Sequence, residues 1–346
     1  MLVEGVELEF QQKVSQLTIG CPYNEIDRDI VKLLFRTGFT SVSSCFDSRE
    51  ILIFREIFPF MTVKDEPNIV FGSTEKDLTV EFGETIRVFT PDHLNRLFAP
   101  VAAALIFFSV MKGKSSSVSI KNIRLPVSLE HLPSKAKVLV VGAGGLGSPA
   151  IEFLLREGLK SLVVIEPDVV SISNIHRQTF YSSKDIGVPK AEVLKKILGK
   201  RDNLDLKIYR KAFDPDTLKN EQPDVVIACV DNYKTRYQIN EICYKEGIPF
   251  VDAGVEGLSG YVVPHRPIDA CYRCFVGDDR KDRDVSKPIL PFVSYFGGML
   301  QAAYATHILK YPDEPLKALW FDLKTLTFIE FQVDKRSNCP VCSSSE

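Results

Sequence analysis

The chain has 346 residues, 45% of them apolar and 25% charged, the balance of a globular protein with a sizeable core and room for two domains. Its formal net charge is -2, so no overall basic field draws it to nucleic acid or to an anionic membrane. The opening residues, MLVEGVELEFQQK, lack a basic stretch followed by an apolar one, which argues against a secretory signal and leads us to expect a cytoplasmic protein.

In chain order, Asn24 stands before Ile26, Ile30, Leu33 and Leu34, which fall on one helical face. Asp27 occupies the third helical position, where a carboxylate favours the helix start. The apolar, aromatic run at 51–60 and the alternating runs within 78–88 predict strands. A helix over 92–111 follows. It contains the longest apolar run, from Phe98 to Met111, which is too short to span a bilayer and predicts a buried helix. Residues 1–112 thus read as a small α/β domain, and 113–134, which opens on Gly-Lys-Ser-Ser-Ser, as a linker.

The pattern changes over 135–346. Strands are predicted at 137–142, 161–166, 205–209, 224–230 and 248–252, with helices at 149–157 and 189–200. Almost continuously apolar strands alternating with helices predict a doubly wound, Rossmann-like, mostly parallel sheet. An antiparallel C-terminal portion is expected from 257–264 and 319–333, with a helix over 292–309 packed on the sheet. The fold class is therefore α/β, with a smaller N-terminal α/β domain.

Three groups of residues carry chemistry. Gly142, Gly144, Gly145 and Gly147 lie in a G-x-G-x-x-G string that follows a predicted strand and opens a predicted helix. Such a loop brings backbone amides and a helix N-terminus to a phosphate. Glu166 ends the next strand, within reach of ribose hydroxyls. By itself the loop does not choose between NAD and ATP. Further on, Arg177 and Lys190 supply two cations, more than a cradled dinucleotide pyrophosphate requires but suited to a departing pyrophosphate. Asp231 follows the apolar run 225–230, at the ligand edge of a parallel sheet, where a carboxylate can hold Mg2+.

Eight cysteines are present. Cys271 with Cys274, and Cys339 with Cys342, form two C-x-x-C pairs, a donor set suited to a structural zinc, with a redox dithiol as the competing reading. Cys21, Cys45, Cys229 and Cys243 read as small buried thiols.

From Lys137 onward the chain resembles the E1-like family of adenylating enzymes typified by ThiF, MoeB and MccB. The matching strings are G-A-G-G-L-G, S-N-I-H-R-Q, G-V-P-K, the Asp231-Asn232 pair and the two C-x-x-C pairs. The resemblance implies ATP-dependent adenylation of a carboxylate by a homodimer. It assigns the phosphate grip to Asn174, Arg177 and Lys190, the ribose to Glu166, and Mg2+ to Asp231. It places Asp168 and Gln178 at the nucleotide site, Gln178 as support for Arg177, and the four cysteines on zinc away from the chemistry.

Three departures refine this. No cysteine occurs between Phe275 and Asn338, so no enzyme thioester is expected there. The R-Y-x-R-Q string that lends an arginine to a neighbouring subunit is missing, and Lys121 or Arg124 stands as its candidate substitute. The extra N-terminal domain matches the layout of MccB-like, peptide-modifying members, where it would recognise a peptide leader, with the run Phe54 to Phe60 as a possible pairing edge. The expected substrate is thus a carboxylate on a ribosomally made peptide precursor, activated for amide formation or cyclisation. The alternative is the C-terminus of a ubiquitin-like sulfur-carrier protein.

Overall fold

The computed structural model describes residues 14–37, 39–46, 61–74, 79–81, 86–91, 98–112, 118–119, 125–127, 132–133, 135–282 and 289–343. The expected strand at 51–60, with its pairing edge, and Lys121 and Arg124 lie outside them.

The first sheet contains β1 (Thr18–Ile19), β2 (Ser41–Ser43), β3 (Thr62–Lys64), β4 (Ile69–Thr74), β5 (Thr79–Glu81), β6 (Ile86–Pro91) and β7 (Val118–Ser119), in the order β3-β2-β1-β4-β6-β5-β7. Pairing is parallel from β3 through to β6, and β5 runs antiparallel to β6 and β7. The helix predicted after Asn24 is α1 (Glu25–Arg36). Its start is a capping box: the Asn24 side chain accepts from Asp27 N, and the Asp27 carboxylate accepts from Asn24 N. The second helix, α2 (Ala99–Lys112), packs beside it; positions 92–97 of the expected helix lie outside the described residues. Ala102, Ile106 and Phe107 are buried along α2, as expected of a helix that is apolar all round.

The second sheet contains β8 (Lys137–Val141), β9 (Ser161–Ile165), β10 (Asp205–Tyr209), β11 (Val225–Ala228), β12 (Phe250–Glu256), β13 (Ser259–His265), β14 (Ala318–Asp322) and β15 (Thr327–Phe331). Their order is β10-β9-β8-β11-β12-β13-β14-β15, parallel as far as β12 and antiparallel beyond it. Alternate residues bury on opposite faces: Val138, Val140, Leu162 and Val164 join one core, Leu139, Val141, Val163 and Ile165 another. The helices are α3 (Gly147–Arg156), α4 (Lys190–Leu198), α5 (Pro215–Glu221), α6 (Tyr233–Lys245), α7 (Tyr272–Val276) and α8 (Pro291–Lys310). Sequence reasoning did not pick out α5, α6 or α7. Strand order reverses between β8 and β11, so the loops after these strands open on the crevice where such sheets bind ligands.

The first of those cores continues into the N-terminal sheet. It takes in Ile30 and Leu34 of α1 as well as Phe292 and Phe296 of α8. Phe107 and Phe108 of α2 meet Phe292 in tilted and edge-on arrangements, with centroids 5.6 and 5.9 Å apart. Among the described residues no helix is long and apolar enough to cross a membrane.

Candidate functional site

The glycine loop leaves β8 and turns at Gly142, whose φ is +90°. A β-carbon there would lie 2.5 Å from the Cys229 carbonyl oxygen, and one on Gly147 would lie 1.9 Å from the Gly142 carbonyl oxygen. Both positions therefore demand glycine, one for its backbone angle and both for close approach. Three side chains pin the loop between them. Ser148 Oγ and Tyr181 Oη donate to the Ala143 carbonyl at 2.9 and 3.0 Å, and Ala143 N donates to Glu166 Oε2 at 2.6 Å. The start of α3 is thereby fixed at the crevice, where a helix N-terminus favours an anion.

Glu166 is buried at the end of β9, and its other oxygen accepts from Asp168 N at 2.9 Å. Lys190 opens α4 and is only 3% exposed, with Nζ 3.0 Å from Asp168 Oδ2 and 3.9 Å from Glu166 Oε1. The two halves of this cluster are tied by the backbone as well, since Lys190 N donates to Asp168 O at 2.9 Å. A buried ammonium with one carboxylate facing solvent retains donor capacity for an incoming anion.

Asn174, Arg177 and Gln178 lie on a compact turn in which Arg177 N and Gln178 N both donate to Asn174 O. Arg177 reaches back to Ser173 O at 3.0 Å and to Asn174 Oδ1 at 3.2 Å. A β-carbon on Gly145 would sit 3.3 Å from Arg177 Cδ, and one on Gly144 would sit 3.4 Å from Gln178 Nε2. Both side chains therefore lie over the glycine loop. Burial pulls the Arg177 pKa below the ordinary guanidinium value, while the Asp231 charge opposes that shift. Gln178 is buried, and its Oε1 has no hydrogen-bond partner among the described residues. That is an acceptor a bound group would satisfy.

Asp231 is exposed shortly after β11. Its neighbour Asn232 has a structural task, accepting from Thr235 N at 2.9 Å to cap α6. Glu166, Arg177 and Gln178 thus lie against the glycine loop, Lys190 and Asp168 join it through Glu166, and the Asp231 charge acts on Arg177. The crevice also contains residues that sequence reasoning missed. Tyr181 and Ser148 are two of them. Arg236 is a third, binding Asp252 at 2.7 and 2.8 Å and donating to Val230 O at 2.7 Å, just before Asp231. The one sequence signal for that pair was an aspartate ending an apolar strand.

The four cysteines of the C-x-x-C pairs converge. Cys271 and Cys339 sulfurs are 3.4 Å apart, Cys274 and Cys342 sulfurs 3.3 Å, and all four lie within 4.8 Å of one another. Tetrahedral zinc thiolate bonds of about 2.3 Å place sulfurs about 3.8 Å apart, so the cluster fits that ion. Arg336 N donates to Cys274 Sγ at 3.3 Å, and the Arg336 guanidinium grips Asp278 at 3.0 and 2.6 Å, which fixes the C-terminal segment beside α7.

One cysteine expectation is overturned. Cys21 and Cys45 are not buried thiols but a disulfide, with Cα atoms 5.9 Å apart. They follow β1 and β2, whose parallel pairing of Ile19 with Val42 carries both chains out side by side. Cys229 and Cys243 are free, and burial pushes both thiols well above their ordinary pKa.

A family model described as the ThiF family matches residues 119–341. The SAMP-activating enzyme E1 of Haloferax volcanii is 32% identical over 216 residues, covering 60% of this chain and 80% of that protein. The sulfur carrier protein ThiS adenylyltransferase of Escherichia coli is 31% identical over 219 residues, covering 61% and 87%. Among solved structures, E. coli MccB with ATP superposes with a TM-score of 0.53 at 22% identity, over 61% of this chain and 68% of that one, a likeness of fold. The chain belongs to the ThiF family and is an ATP-dependent, E1-like enzyme that adenylates a carboxylate.

Proposed function

We propose that the enzyme activates a carboxylate on a ribosomally made peptide precursor and passes the acyl-adenylate onward without an enzyme thioester. A carboxylate oxygen attacks the α-phosphorus of ATP, the bond to the β-phosphate oxygen breaks, and pyrophosphate departs. The observation that carries this reading is the placement of Arg177 over the glycine loop and of buried Lys190 beside Glu166, which holds that loop, because charge builds on the leaving pyrophosphate and two fixed cations would stabilise it. Asn174 orients Arg177 through its side-chain oxygen. Glu166 would take the ribose hydroxyls with its remaining lone pairs, and Asp168 would exchange its Lys190 contact for the nucleotide. Asp231 would hold Mg2+, which would supply positive charge to neutralise the phosphates. The four cysteines would hold zinc as a structural clamp.

The peptide substrate is supported by the N-terminal sheet, which we assign with residues 1–112 to substrate recognition. MccB, similar in fold, has been solved with MccA bound. The second reading, a ubiquitin-like carrier, is supported by the relative named for its ThiS substrate.

Pyrophosphate exchange into ATP tests both, run with and without the peptides and ubiquitin-like proteins encoded beside the gene. Exchange dependent on one such partner identifies the substrate class. Arg177→Ala and Asp231→Ala are each expected to lower it by about 10³-fold, the scale of losing one transition-state stabiliser. ATP binding without exchange for any partner would sink the catalytic reading.

A further inference from the structure

We propose that Arg36, which the N-terminal module carries, is a positioning residue for adenylation: its guanidinium fixes the backbone of the turn bearing Asn174 and Arg177. This rests on the functional reading above, in which Arg177 grips the phosphates.

Arg36 is the last residue of α1. Its Nη1 donates to Ile175 O and, at 3.4 Å, to Gln178 O, and its Nη2 donates to Thr179 O at 3.3 Å. Those three carbonyls bracket Arg177 on both sides. A planar fork with five N–H groups can address several carbonyls on one turn in a fixed geometry. Among the described residues, His176 also bonds to the Ile289 backbone from this turn. The Arg177 side chain returns to Ser173 and Asn174, and Asn174 Nδ2 donates to Ser171 Oγ at 2.7 Å, all within residues 171–177.

The helix that carries Arg36 is itself registered against the glycine loop. Asp29, about two turns earlier on α1, accepts from both Nη atoms of Arg156 at 2.8 and 3.1 Å. Arg156 also donates to Glu152 at 2.6 Å, and Glu152 accepts from Tyr295 Oη at 3.1 Å. Arg156 and Glu152 belong to α3, the helix that the glycine loop opens. One N-terminal helix therefore holds both walls of the nucleotide crevice, α3 through Asp29 and the Arg177 turn through Arg36. A cavity of about 110 Å³ lined by Lys32, Arg36, Glu152, Thr179 and Tyr295 lies between them, so the turn has space to shift when the guanidinium is removed. What engages the N-terminal module thus bears on the position of Arg177.

The test compares Arg36→Met, Arg36→Lys and Lys32→Ala in the full chain. In pyrophosphate exchange with the partner that supports it, Arg36→Met lowers kcat by about 10²-fold, the cost of a reacting group displaced by about 1 Å, while KM for ATP stays within about threefold. Arg36→Lys keeps the charge and three donors and recovers most of that loss. Lys32→Ala, on the same helix and cavity but with its ion pair to Asp29, leaves exchange unchanged. Amide hydrogen exchange with ATP and Mg2+ supplies a readout independent of the acyl substrate: Arg36→Met deprotects the peptide spanning 174–181 about tenfold and leaves the glycine-loop peptide unchanged. Unaltered kcat and unaltered protection in folded Arg36→Met protein overturn the proposal. Wild-type protein that exchanges with no partner defeats the adenylation reading instead, and the clamp is then decided by the amide protection alone.

Discussion

Two clusters of buried charge meet α3, one at each end, and they do different work. At its N-terminus, Glu166, Lys190 and Asp168 surround the glycine loop, and the cluster keeps unused capacity: a buried ammonium beside an exposed carboxylate and, nearby, the unpartnered Gln178 oxygen. At its C-terminal half, Asp29, Arg156, Glu152 and Tyr295 bond to one another across three helices. A cluster with spare donors is poised to receive a ligand, whereas a closed one fixes how two modules sit together. The difference teaches that buried charge by itself does not mark a site; unspent hydrogen-bonding capacity facing a crevice does.

The largest expected effect lies at the first cluster. Lys190→Met should lower pyrophosphate exchange by about 10³-fold, roughly 4 kcal/mol of transition-state stabilisation. Stability should move by no more than about 1 kcal/mol, because Asp168, 64% exposed, returns to water and Glu166 keeps its two backbone donors. Paired exchange assays and urea melts measure both. A variant that unfolds easily yet exchanges normally would assign this cluster to structure and erase the distinction.

The first cluster was legible in the sequence and the second was not, for a physical reason. The glycines at 142 and 147 are demanded by a backbone angle and by contacts only a missing Cβ permits, so they leave a local pattern. The capping box at Asn24 is legible for the same reason: its partners are three residues apart. Arg36 instead binds backbone carbonyls 139 to 143 residues away, and a carbonyl leaves no trace in residue identity. Cys21 and Cys45 were misread because their proximity comes from parallel strands that neighbour one another only in the fold. The helix α6 escaped notice because Tyr, Lys, Thr and Arg crowd its first turn and blur the apolar period, although Ile239, Ile242 and Cys243 are buried along it.

An intermediate effect is expected at the second cluster. Asp29→Ala leaves Arg156 partly uncompensated at the junction and should cost about 3 kcal/mol of stability. Replacing both partners by apolar residues, Asp29→Leu with Arg156→Met, should recover most of that loss, because no buried charge is then stranded. ATP affinity, measured by calorimetry, should stay within about threefold in both proteins if the cluster serves only to register the modules. A fall in ATP affinity as steep as that in stability would merge the two clusters into one functional unit.

The smallest effect concerns the residue between them. His176 sits on the turn held by Arg36 and precedes Arg177. Burial, and then the Arg177 charge, depress its pKa to about 4, with Arg36 adding to the shift and backbone hydrogen bonds to Ile289 and Ser173 opposing it. The folded protein thus keeps the imidazole neutral where the unfolded chain protonates it near its ordinary value of about 6.5. Between those values the unfolded state binds the extra proton, so this contribution is complete above about pH 6.5 and is lost as pH falls towards 4. For a half-buried ring the loss from pH 7 to pH 5 should be on the order of 1–2 kcal/mol. Urea melts of wild type and His176→Gln at the two pH values isolate it, since the substitution removes the titration while keeping a polar side chain. An identical pH dependence in both proteins would mean that the ring is not held neutral by its two arginine neighbours.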